Sequence, residues 1–210
     1  VFSFLSFSYI GSAVVVYQSS KKNLYENIDT TLYQGATLID LVLTKEFHNK
    51  ATTSGAISHE EDLENIKKLS KLAQNLNIAY LYSMVQYENE IYFTSSSATK
   101  EDFEEKKITH YFDKYDSATP SLLELLKNNT VVYEESTDSW GTFRSVLIPV
   151  TTDQGKQYIL GADIRMDVIE ENLDQILQEI VFFVTLFIIL LSIILFWYRA
   201  LLKKELNDIK

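Results

Sequence analysis

Val131-Val132-Tyr133-Glu134-Glu135-Ser136, then Trp140-Gly141-Thr142-Phe143-Arg144-Ser145-Val146-Leu147-Ile148-Pro149-Val150, then Lys156-Gln157-Tyr158-Ile159-Leu160-Gly161-Ala162-Asp163-Ile164-Arg165 are three runs rich in β-branched and aromatic residues. Thr137-Asp138-Ser139 and Thr151-Thr152-Asp153-Gln154-Gly155 separate them with residues that favour turns. Strands joined by such short turns pair antiparallel. Alternation sorts the last run into two faces: Tyr158, Leu160, Ala162 and Ile164 on one, Ile159, Gly161 and Asp163 on the other. The first set is apolar or aromatic throughout and demands a packing partner. The second carries a carboxylate, which inside a sheet finds a partner or changes its proton affinity.

Upstream, Ile78 to Tyr87 and Ile91 to Ser96 form a further hairpin around Glu88-Asn89-Glu90. Ser97 to Asp116 is charged and helical in part, and Thr119-Pro120 supplies an N-cap and first helical position for a short helix ending at Asn128-Asn129. Ser58-His59-Glu60-Glu61 has the capping-box pattern, with Glu61 reaching back. It opens an amphipathic helix through Leu63, Ile66, Leu69, Leu72 and Leu76. Leu24, Ile28, Leu32, Gly35, Ile39 and Val42 recur at three- and four-residue steps, the stripe of a long helix running to about Phe47. Gly35 within it marks a bend or a close contact. His48 to Ser58 is a polar loop.

Two charge-free apolar runs bracket this region, Val1 to Tyr17 and Ile180 to Tyr198. The second holds 19 residues, roughly 28 Å of helix against a hydrocarbon thickness of about 30 Å. Trp197 and Tyr198 close it, where amphipathic rings favour the interface. The first opens without Met or a basic flank and is expected to be the tail of a first transmembrane helix. Arg199, Lys203 and Lys204 follow the second run, against Lys21 and Lys22 after the first, a bias that places the C-terminal tail in the cytoplasm. The expected organisation is therefore a transmembrane helix at 1–17, an extracytoplasmic domain at 18–179, a transmembrane helix at 180–198 and the start of a cytoplasmic linker at 199–210. In that tail Leu202, Leu206 and Ile209 share a stripe.

Between the runs, 15 lysines and arginines stand against 27 aspartates and glutamates, a net charge of −12. Nucleic acid, which needs clustered cations, is not an expected partner. Cysteine is absent, so there is no disulfide framework and no thiolate metal site. His48, His59 and His110 are far apart in sequence and lack metal-ligand spacing. They are expected at the surface, and neither a metal nor a cofactor is expected. No nucleophile–base pair is legible, so no catalytic residue is assigned.

Tyr133 to Thr142, with Ser145, Pro149, Gly155 and Gly161-Ala162-Asp163-Ile164, resembles the extracytoplasmic Cache domains of bacterial receptors. Tyr80-Leu81-Tyr82-Ser83 and Tyr92-Phe93 are similar to the first hairpin of that family. The resemblance implies an α+β, PAS-like five-stranded antiparallel sheet in single-Cache form. The long N-terminal helix lies on one face and a small-molecule pocket on the other, under the crossover segment. The apolar face of the last strand then packs on the long helix, and Asp163 points into the pocket as a partner for a ligand ammonium. Capping of the terminal helix, or pairing with Arg144 or Lys156, is the alternative. Tyr80, Tyr82, Tyr133, Trp140 and Ser145 complete the expected ligand-binding set, each with core packing or solvent exposure as its ordinary role. Whether Arg144 or Ser145 faces the pocket is open, and Glu134, Glu135 and Asp138 form an acidic group at a strand end.

The expected function is ligand sensing by a bacterial inner-membrane receptor with a periplasmic or extracellular domain, a chemoreceptor binding an amino acid, amine or small carboxylate. A histidine kinase or diguanylate cyclase sensor, or a ligand-free dimerisation domain, is the alternative. A homodimer through the long N-terminal helix is the expected assembly.

Overall fold

The computed structural model describes residues 2–208, and the side chains of all of these except residues 2–8, 120, 121, 123, 205 and 206. Val1 of the first apolar run and Ile209 of the tail stripe lie outside the described residues. The chain divides into two compact units, one made of the residues up to Tyr25 and from Glu170 onward, the other of Glu26–Ile169.

The elements follow the expected order. Helix α1 spans Phe2–Val42, α2 Lys45–Lys50 and α3 His59–Leu76. Strands β1 (Tyr80–Tyr87) and β2 (Glu90–Ser96) precede α4 (Lys100–Glu105) and α5 (Pro120–Asn128). Strands β3 (Val132–Thr137), β4 (Thr142–Thr151) and β5 (Gln157–Arg165) complete one sheet of order β2-β1-β5-β4-β3, in which every pair is antiparallel. The last strand thus sits at the centre, between β1 and β4, and its two faces organise the domain.

On one face, Tyr158, Leu160 and Ala162 of β5 and Val146 of β4 pack with Leu32, Ala36 and Ile39 of α1 and with Leu69 and Ala73 of α3. The helical stripe and the strand alternation therefore meet as the patterning requires. Gly35 is a close-contact site, because a Cβ there would run into the Ile78 side chain. On the other face, Tyr82 and Met84 of β1 and Leu147 and Ile159 pack with Leu122 and Leu125 of α5. Thr119 caps α5 by accepting from Leu122 N at 3.2 Å, as Thr119-Pro120 predicts.

Three local expectations are corrected. The long helix stops at Val42, and Thr44 caps the separate α2. His48, expected in a surface loop, lies in α2 and is 3% exposed, its ring stacked 3.7 Å from Tyr158. Burial drives its imidazole down to about 3, so it is held neutral. At α3, Ser58 accepts from Glu61 N at 3.2 Å, but the Glu61 carboxylate pairs with Lys50 Nζ at 2.7 Å rather than reaching back. The reciprocal capping box is at α4, between Thr99 and Asp102.

The first unit contains the N-terminal part of α1 and most of α6, which spans Met166–Asp208. Among the described residues one helix stretch, Met166–Lys204, is long and apolar enough to cross a membrane, and its most apolar window buries none of its residues within the protein. Phe182, Ile189, Ile194 and Phe196 are all more than half exposed.

Candidate ligand-binding site

Asp163 is the centre of the face opposite α1. Its register partners are Tyr80 on β1 and Ser145 on β4, so it sits in the middle of the sheet and not at an edge. Tyr82 lies diagonal to it, opposite Gly161. Because Gly161 has no side chain, the Tyr82 ring lies directly over it; a Cβ there would collide with three ring carbons. The ring thereby reaches its neighbour, and the Tyr82 hydroxyl donates to Asp163 Oδ1 at 2.9 Å.

These groups line a narrow cleft that opens in part to solvent. Sheet residues Tyr80, Tyr82, Phe143 and Asp163 form its floor, and Trp140 one wall. The segment after β2 supplies the rest, with Asp102 of α4, Lys107, Thr109 and Tyr115. That segment is fastened to β2 by backbone bonds: Phe93 N to Asp113 O at 2.9 Å, Phe112 N to Phe93 O at 2.8 Å and Tyr115 N to Ile91 O at 2.8 Å. A deeper and more polar chamber opens behind Tyr82 and Tyr115 and adds Glu134, Ser136 and Ser145 to the lining.

The walls are phenols donating to carboxylates. Tyr80 donates to Asp102 Oδ2 at 3.0 Å, and Tyr115 to Asp138 Oδ2 at 3.3 Å. Asp138 Oδ1 meanwhile accepts from Trp140 N at 2.9 Å and Gly141 N at 3.3 Å, which locks the turn that carries Trp140. Burial drives the Tyr80, Tyr82 and Tyr115 hydroxyls up, so they stay protonated donors. Burial also pushes the Asp163 carboxyl up to about 7, against hydrogen bonds from Ser145 and Tyr82 that favour its charged form, while the Asp138 and Glu134 carboxylates add to the rise.

The structure brings five of the six expected residues, Tyr80, Tyr82, Trp140, Ser145 and Asp163, to this face. Tyr133 is not among them. It points to the opposite face, is 39% exposed, and has the Arg144 guanidinium 5.8 Å from its ring centroid. The choice between Arg144 and Ser145 is also decided: Arg144 turns to α1 and grips Asp29 with two bonds of 2.9 and 2.8 Å. Of the acidic group, Asp138 lines both chambers and Glu134 the deeper one. Glu135 lies on the other face, 4.0 Å from Arg144. Asp102, Lys107, Thr109 and Tyr115 were not legible, since the stretch that carries them has no clear period. The Asp-x-Trp-Gly turn at 138–141 was the signal for Asp138.

No family model matches the sequence, and no curated protein matches it. Solved structures do match in fold. The ligand-binding domain of the Campylobacter jejuni chemoreceptor Tlp3, in complex with 4-methylisoleucine, superposes with a TM-score of 0.50 at 13% identity, over 80% of this chain and 63% of that one. This chain therefore spans just under two thirds of the length of that relative. The E. coli DcuS sensor domain matches with a TM-score of 0.45 at 12% identity, over 74% of this chain and 98% of that one. The ligand-binding domain of the Pseudomonas aeruginosa PAO1 amino acid chemoreceptor PctC, in complex with GABA, matches with a TM-score of 0.42 at 11% identity, over 79% and 66%. With its central β5, its long helix on one face and its cavity on the other, the chain has the α+β, PAS-like fold of a Cache-type sensor domain.

Proposed function

We propose that this chain is the sensing part of a bacterial transmembrane receptor, a chemoreceptor that binds a small organic ammonium compound, an amino acid or an amine, in the cavity around Asp163. The observation that carries this reading is the charge of the lining. Asp102, Asp138 and Asp163 stand in the main chamber and Glu134 in the deeper one, against Lys107 as the one basic residue lining the main chamber among the described residues. A low-dielectric cleft lined by one sign of charge concentrates the opposite ion. Trp140 and Phe93 line it as well, and aromatic rings are favourable neighbours for organic cations. A ligand carrying carboxylates alone meets four acidic side chains and one ammonium here, so amines and amino acids are favoured over small dicarboxylates.

The helices favour a receptor over a free binding protein. Helices α1 and α6 run without a break from the domain into the apolar stretches at 1–17 and 180–198, which we place in the inner membrane with residues 18–179 outside and 199–210 in the cytoplasm. Asp163 is three residues from the start of α6, so a ligand drawn to it acts next to the helix that leaves the domain. Tyr33 and Leu41 stay exposed on α1, and we assign them to a homodimer seam.

The test is a thermal-shift screen of the full chain in detergent micelles against amino acids, amines and organic acids. A saturable upward shift with ammonium compounds, absent in the Asp163→Asn variant, supports the reading. No shift with any of them, or equal shifts in wild type and variant, overturns it.

A further inference from the structure

The three histidines are far apart in sequence, yet His59 and His110 meet in the fold with Asp62. Their ring centroids are 5.5 Å apart, and one donor atom from each of His59, Asp62 and His110 lies within 4.8 Å of the other two. His59 and Asp62 stand three apart in the first turn of α3, hence on one helical face. His110 comes from the segment after α4, with its Nδ1 2.7 Å from Asp62 Oδ2. The second Asp62 oxygen accepts from Tyr111 N at 3.1 Å, and the carboxylate is 3% exposed. Asp62 is thus held in place by backbone and buried, while His59 is exposed and His110 partly so. Such a set has a buried anchor and an open approach for an ion.

We infer that His59, Asp62 and His110 form a binding site for a divalent first-row transition-metal ion, with Zn²⁺ as the best fit. Two imidazoles and a carboxylate, with no thiolate, suit that class and leave a fourth position for water. A carboxylate only accepts, so in the neutral ring Nδ1 of His110 carries the proton shared with Asp62. To ligate through Nδ1 the ring would give up that proton to water and take one from water at Nε2, which would free the Nδ1 lone pair and Asp62 Oδ2 for the ion. The charge of the neutral ring is unchanged and no co-reactant is needed. The Tyr111 N–H remains on Asp62 Oδ1 as the outer partner that orients the ligand. The ion fastens residues 109–111 to α3, and Thr109 lines the ligand cavity.

The full chain in detergent micelles, stripped with a chelator, is titrated with Zn²⁺ by calorimetry, and Co²⁺ is added separately to read the coordination from its visible absorption. One Zn²⁺ per chain is expected, with backbone amides of residues 109–112 exchanging more slowly in its presence. His59→Gln is expected to weaken binding by at least about tenfold and His110→Gln as much. His59 is exposed at a helix start, so its replacement leaves the fold intact and keeps the test decisive even if Asp62→Asn fails to fold. No saturable uptake, or wild-type affinity in both histidine variants, overturns the site. None of these measurements involves an organic ligand, so their outcome is independent of the function proposed above.

Discussion

The Tyr82 hydroxyl reaches Asp163 Oδ1 at 2.9 Å although Tyr82 stands opposite Gly161 in the strand register. The diagonal is possible because the residue between them has no side chain. Gly161→Ala is expected to force the Tyr82 ring off Asp163 and to destabilise the domain by about 1–3 kcal/mol through overpacking. Urea unfolding followed by circular dichroism measures the loss, and an unchanged midpoint would show that the ring relocates at no cost.

Asp163 holds its proton up to about pH 7 in the folded chain, against an ordinary value of 3.8. Between those values the folded state binds the extra proton, so this group's contribution to stability is complete below about 3.8 and is lost as pH rises to about 7. Asp163→Asn has no proton to lose. Its stability relative to wild type is expected to climb from pH 4 to pH 7 and then level off, as read from melting temperatures across that range.

If the cavity takes an ammonium ligand as proposed, the same carboxyl sets the pH dependence of its uptake. An ammonium group pairs with the ionised form, so affinity is expected to fall about tenfold for each pH unit below about 7 and to be flat above it. Calorimetry at pH 6 in buffers of different ionisation enthalpy is expected to show proton release on binding. Affinity that rises as pH falls would point to a ligand carboxylate instead. At pH 8, Asp163→Asn is expected to cost about 100-fold in affinity.

Arg144 and Asp29 join β4 to α1 on the face away from the cavity, with side chains 17% and 26% exposed. Arg144→Ala is expected to lower stability by about 1–3 kcal/mol, near the lower end because the pair is partly wet. Ligand affinity is expected to stay within twofold of wild type, and so is that of Tyr133→Phe. A large affinity loss in either would mean that the two faces of the sheet are coupled.

The order of helices and strands was written in the sequence because each element carries its own period and punctuation. The stripe from Leu24 to Val42, the Thr119-Pro120 start and the two-faced alternation of Tyr158 to Ile164 all rest on local geometry, and they reappear in the fold with small shifts at their ends. Alternation also placed Asp163 opposite the helix face. The α2 break is not legible in the sequence, because nothing local distinguishes Thr44 from a helix residue until its hydroxyl accepts from Phe47 N.

What the sequence determined by itself was the pair of apolar stretches, the acidic region between them and the two faces of the last strand. Only the tertiary structure decided what meets across the strands. Register put Ser145 rather than Arg144 beside Asp163 and turned Tyr133 away, and the segment after β2 brought Tyr115 to Asp138. The fold also joined His59 and Asp62 to His110 across 48 residues. Period and capping are properties of neighbours in the chain, whereas a binding site is made of residues distant in sequence, and their meeting depends on how the whole sheet and its crossover segment pack.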